Sequence, residues 1–123
     1  MKKSINILFA ALLLSIFAVT GCTKDTPVEP QGTTVPKILS LNADKMTIKF
    51  GGGDPTVITC QAEGGSLMYK WEVDLGDIFP LTEDNSKVRF TGSPCCIGEK
   101  IIKCTATNDK GSTTQTITIL IEK

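Results

Sequence analysis

Leu67-Met68-Tyr69-Lys70-Trp71-Glu72-Val73-Asp74 is the stretch whose reading decides the fold. Strict alternation puts Leu67, Tyr69, Trp71 and Val73 on one side of an extended chain and Lys70, Glu72 and Asp74 on the other, the period-two pattern of a strand with one buried face. Cys60 and Cys104 bracket this strand in sequence, which suggests two layers of sheet pinned across their middle.

Working outward, similar runs recur between turn signals. Thr56 to Ala62 brings Ile58, Cys60 and Ala62 to one face, and Glu63-Gly64-Gly65-Ser66 connects it to the tryptophan strand. Lys37 to Leu41 and Lys45 to Phe50 are short strands ahead of it, the second closed by Gly51-Gly52-Gly53-Asp54-Pro55. Downstream, Lys87 to Thr91 points Val88 and Phe90 inward, Lys100 to Thr107 does so with Ile102, Cys104 and Ala106, and Thr113 to Ile121 with Ile117, Ile119 and Ile121. Two connections are irregular, Leu75 to Ser86 and Gly92 to Gly98. About seven short strands and no sustained helical period predict an all-β antiparallel sandwich over residues 37–123.

Composition bounds the function. Of 123 residues, roughly ninety are left for the domain, a size at which burial alone is marginal and a covalent staple helps. Thirteen basic residues balance thirteen acidic ones, so there is no electrostatic footprint for nucleic acid. Histidine is absent, which removes the commonest general base near neutral pH and the commonest transition-metal ligand.

The N-terminus reads as an address. Lys2 and Lys3 precede a nearly continuous apolar run from Ile5 to Val19, too short to span a bilayer comfortably and ordered like a signal peptide. Val19-Thr20-Gly21-Cys22 at its end resembles the lipobox of bacterial lipoproteins. The resemblance implies cleavage after residue 21, a diacylglyceryl group on the Cys22 thiol and usually an acyl group on the new amino terminus. One chain binds a membrane reversibly, whereas two or three hold it durably. The alternative is an ordinary secretory signal with a chance cysteine. Thr23 is not the aspartate that retains many such lipoproteins at the inner membrane, so the resemblance implies the outer membrane. Asp25 and Glu29 are similar to acids that accompany surface display in some lineages, and periplasmic or surface-facing placements both stay open. From residue 22 to Pro36 the chain is rich in proline, threonine and acids; it is expected to be a flexible tether reaching at most about 45–50 Å.

Cys60, Trp71 and Cys104 resemble the cysteine, tryptophan, cysteine pattern of immunoglobulin-like domains, and Cys104-Thr105-Ala106-Thr107-Asn108-Asp109-Lys110-Gly111 is similar to the penultimate strand and turn of bacterial Ig-like and polycystic-kidney-disease-like modules. This implies an Ig-like sandwich with Trp71 in its core. Ile102 stands where antibody-type domains carry a tyrosine, and Trp71 to Asp77 lacks the compact acidic run of the polycystic-kidney-disease repeat.

With Cys22 set aside, four cysteines allow three pairings. Cys60 with Cys104 is preferred because both share the inward parity of Ile58 and Ile102. Cys95-Cys96 can form a vicinal disulfide that stiffens its loop or acts as a redox switch, or one of the two can bond elsewhere; two thiols without histidine fall short of a tetrahedral metal set. Asp74, Asp77, Glu83 and Asp84 do not have the spacing of a twelve-residue calcium loop. Ser93 and Ser112 have no partner base. The expectation is a non-catalytic binding or structural module without cofactor or metal, taking a protein or glycan ligand on its loops, with Asp77, Phe79, Pro80 and Pro94 as candidate contacts. The competing expectation is a thiol-based redox or metal-handling lipoprotein centred on Cys95 and Cys96.

Overall fold

A computed structural model describes residues 34–123. The expected signal peptide, Cys22 and most of the expected tether lie outside the described residues. The described chain is all-β, with eight strands: β1 (Lys37–Ala43), β2 (Thr47–Lys49), β3 (Thr56–Glu63), β4 (Met68–Val73), β5 (Asp77–Pro80), β6 (Lys87–Thr91), β7 (Gly98–Asn108) and β8 (Gly111–Glu122). They form two four-stranded sheets, in the orders β1-β3-β6-β5 and β2-β8-β7-β4.

Alternation sets the faces as expected for most strands. Ile58 and Cys60 on β3, Val88 and Phe90 on β6, Ile102, Cys104 and Ala106 on β7, and Ile119 and Ile121 on β8 are all buried. With Ile48 of β2, seven of these side chains make one core between the sheets, and Leu41, Ala43, Trp71, Val73, Ile78 and Ile117 pack around it. Phe90 is the largest wholly buried side chain, and Trp71 is half-buried at the flank of this cluster. β2 is shorter than Lys45 to Phe50, and only Ile48 of that run is buried, with Met46 and Phe50 exposed.

The strand count departs from about seven because Asp77–Pro80 is a strand. It pairs antiparallel with β6 along Asp77↔Thr91, Ile78↔Phe90, Phe79↔Arg89 and Pro80↔Val88. Four residues carry little periodic signal, and Pro80 is tolerated because β5 is the outer strand of its sheet. Gly76 makes the approach to this strand possible: its φ is 123°, and a Cβ there would lie 2.5 Å from Phe90 Cε2.

Register gives the sandwich two distinct ends. Lys37 pairs with Glu63, Met68 with Thr107 and Asn108 with Gly111, so the start of β1, the β3–β4 connection and the β7–β8 turn share one end. The β2–β3, β4–β5 and β6–β7 connections gather at the other. Thr34 to Pro36 are held at the first end: the Asn108 Nδ2 donates to the Thr34 carbonyl at 2.9 Å and to the Gly64 carbonyl at 2.6 Å, Thr113 Oγ1 donates to the Pro36 carbonyl, and Pro36 is buried. Asn108 also accepts from the amides of Lys110 and Gly111, so one side chain ties the turn, the β3–β4 connection and the incoming chain together.

Candidate functional site

The end remote from Thr34 is built around the join of β6 and β7. Gly92 bridges Phe50 in parallel, and a Cβ on Gly92 would sit 3.0 Å from Ile121, so the backbone crosses close over the core. The chain then reverses in a turn closed by the Cys96 amide donating to the Ser93 carbonyl at 3.1 Å, with Pro94 at the position where its fixed φ suits a turn. Phe50, Leu75 and Ile97 are exposed apolar side chains on the connections at this end. Pro94 is exposed beside them.

Within the turn, Cys95 Sγ lies 2.9 Å from Cys96 Sγ and 3.7 Å from Ser93 Oγ. Both cysteines are free thiols, Cys95 exposed and Cys96 buried. Hydrogen bonds from Cys96 and Ser93 hold the Cys95 thiol below its ordinary pKa, with help from the positive Lys100. Cys96 moves the opposite way, because its hydrogen bond to Cys95 and its burial both disfavour a second thiolate. The chemistry available is that of one accessible nucleophilic sulfur next to a shielded one.

Cys60 and Cys104 are also free thiols, both buried, on β3 and β7 of the two facing sheets. The contact with Cys60, then burial, pushes the Cys104 thiol up. Trp71 stands directly across from Cys104 in the β4–β7 register, and its Nε1 donates to the Asn85 carbonyl at 2.7 Å. Asn85 has a φ of 62°, a left-handed conformation that asparagine tolerates better than most residues. The backbone bend at Asn85 aims that carbonyl at the indole.

The other candidates are dispersed. The expected loop from Leu75 to Ser86 is divided by β5, so Asp77, Phe79 and Pro80 stand exposed on a strand and not in a loop. Phe79 is exposed on that strand, with the Arg89 guanidinium 5.1 Å from its ring centroid. Asp74 and Asp77 belong to the remote end, whereas Glu83 and Asp84 fall at the Thr34 end. Asp84 is occupied locally, accepting from the Ser86 amide and hydroxyl, which lowers its pKa. Among the described residues no group of three or more His, Cys, Asp or Glu side chains comes together to hold a metal.

One feature escaped the sequence reading. The outer face of the β2-β8-β7-β4 sheet has an open depression of about 430 Å³ lined by Glu72, Val73, Asp74, Ile101, Lys103 and Thr116. The available signal was Ile101, an isoleucine with outward parity that is 60% exposed. Glu72 is bridged to Lys103 at 2.8 Å and to Lys70 at 3.3 Å, and these lysines hold its carboxyl below the usual range.

No protein-family model and no curated protein matches this chain. Among solved structures, the chain is similar to part of a putative alpha-galactosidase from Bacteroides fragilis, at 15% identity and a TM-score of 0.46. The match covers 71% of this chain but spans only 17% of that one.

Proposed function

We propose that this protein is a lipid-anchored bacterial envelope protein whose single Ig-like domain is a non-catalytic binding or structural accessory module. The strand orders support the Ig-like reading: β1-β3-β6-β5 corresponds to the ABED sheet of a constant-type domain and β8-β7-β4 to its GFC sheet, with β2 added at the outside. Under this reading Cys60 and Cys104 are the inter-sheet disulfide in an oxidising compartment, and Trp71 packs beside it. The lipobox-like Val19-Thr20-Gly21-Cys22 supports anchoring through Cys22, with the outer membrane as destination.

The observation that carries the functional reading is the polarity of the sandwich. The chain arrives from the anchor at the end held by Asn108, and exposed Phe50, Leu75 and Ile97, with Pro94, project from the opposite end. A rigid scaffold that turns apolar loop residues away from its point of attachment is arranged for contact with a protein or glycan ligand. Two measurements on the full-length protein in a bacterial host test this. An alkyne-tagged fatty acid should label the wild type and not Cys22→Ala; an unlabelled wild type removes the anchor. Phe50→Ser combined with Ile97→Ser should abolish cross-linking to envelope components and retention on immobilised glycans; unchanged contacts with both remove the binding assignment.

A second reading rests on Cys95 and Cys96, where the lowered Cys95 pKa and the 2.9 Å sulfur contact favour thiol chemistry. A reduction potential as low as that of a structural disulfide, with no metal retained on purification, would eliminate it.

A further inference from the structure

The four outer strands of the two sheets are not equally protected. β1 carries a register shift between Ile38 and Ser40, β5 is four residues long and ends in Pro80, and β2 has three residues. Short strands, bulges and proline are the usual devices that stop an outer strand from pairing with another chain. β4 has none of these three: Met68–Val73 is six residues without glycine, proline or bulge, last in its sheet, and the one edge lysine it carries, Lys70, is offset by Glu72, 3.3 Å away.

Its sequence is also self-complementary. We infer that β4 is a homodimerisation edge, pairing antiparallel with β4 of a second copy about a two-fold axis through Trp71. That register sets Lys70 opposite Glu72 of the second copy and, by symmetry, Glu72 opposite its Lys70. Tyr69 meets Val73 and Trp71 meets Trp71 on the core-facing side, so apolar residues face apolar ones. Lys103 pairs with Glu72 on the other flank, and each row across the joined outer faces therefore reads Lys103, Glu72, Lys70 with alternating sign. A carboxylate between two ammonium groups is the cross-strand arrangement that favours one register over its neighbours. A shift by two residues brings Lys70 against Lys70 or Glu72 against Glu72.

An unrelated partner strand could use the same free edge, but only a second copy is guaranteed the matching charge order. The contact is small beside the roughly 1,200–2,000 Å² of stable interfaces, so pairing depends on concentration and is favoured by confinement to a surface. Antiparallel pairing inverts one domain. The residues from Cys22 to Thr34 reach at most about 40 Å, similar to the length of the twelve-residue β8, so both copies can be attached to one membrane.

The test is sedimentation velocity of the detergent-solubilised full-length chain over a hundredfold range of concentration. The wild type should move from monomer to dimer. Lys70→Glu and Glu72→Lys should each weaken this by about tenfold or more, since two attractive pairs become two repulsive ones. An equimolar mixture of the two variants should recover the dimer, because the mixed pair again sets opposite charges across the axis. Thermal melts check that both variants fold; Lys70→Ala, which introduces no like charge, should weaken pairing less than Lys70→Glu. A wild type that stays monomeric throughout overturns the inference. So does a dimer that neither charge change weakens, or a mixture that behaves like the separate variants.

Discussion

Cys60 and Cys104 are 44 positions apart in sequence and meet in the core; Cys95 and Cys96 are adjacent and meet in a surface turn. Each pair has thiols in contact, yet the surroundings give them opposite prospects. The first pair lies on strands of different sheets, shielded from water, where a bond would close a long loop and restrict the unfolded chain. The second lies where the chain already reverses, so a bond would close almost nothing and its use would be chemical. What a cysteine can contribute is set by the strand or turn that carries it more than by the residue.

The sharpest way to break this contrast is Cys60→Ala in oxidised protein. Closing a loop of about 45 residues is worth about 4 kcal/mol in the loop-entropy model, and in a domain this small that corresponds to a fall of roughly 20 °C in melting temperature. The melt should be compared under oxidising and reducing conditions, with the difference between wild type and variant shrinking in reductant to the smaller cost of the buried sulfur that alanine lacks. An unchanged oxidised melt would mean that Cys60 and Cys104 do not bond to each other.

Next in size is Trp71→Phe. The indole occupies the flank of the core opposite Cys104 and donates to Asn85, so the change deletes packing and leaves the Asn85 carbonyl without its partner. Because Trp71 is only half-buried, the expected loss is about 1–3 kcal/mol by chemical denaturation, less than for Cys60→Ala. A loss larger than that of Cys60→Ala would make the tryptophan, and not the cysteines, the principal tie between the sheets.

How much of this was legible in the sequence follows the range of the interactions. The tryptophan strand was legible to its faces: Tyr69, Trp71 and Val73 point inward and Lys70 and Glu72 outward, because alternation is a local property of extended chain. The inward parities of Val88, Phe90, Ile102 and Cys104 were legible for the same reason. β5 was not, since four residues ending in proline resemble a loop until Val88 and Phe90 are seen beside them. That one strand also divides the Leu75 to Ser86 segment between opposite ends, which no local pattern encodes. The Asn108 network was hidden too: its turn was evident, but its bonds to Thr34 and Gly64 join segments 74 and 44 positions away.

For the surface pair, Cys95→Ala should change stability by less than about 0.5 kcal/mol, the range of ordinary surface substitutions. A cost approaching that of Cys60→Ala would mean that the turn holds a structural bond after all.

The smallest effect is a shift in reactivity without a change in fold. The hydrogen bond from Cys96 is the largest cause that lowers the Cys95 pKa from its ordinary 9.0, followed by the one from Ser93. A lowered pKa leaves more thiolate at neutral pH, and the thiolate is the species that alkylates. In reduced protein the rate of Cys95 alkylation should therefore rise with pH to a midpoint below 9.0, while Cys60 and Cys104 stay unmodified until the domain unfolds. Cys96→Ala removes the main stabilising donor, so the midpoint should move upward toward 9.0 and the rate near pH 7.5 should fall. Ser93→Ala should shift it in the same direction by less. If Cys96→Ala leaves the profile in place, the adjacent thiol does not tune Cys95, and the contrast between the two pairs reduces to exposure alone.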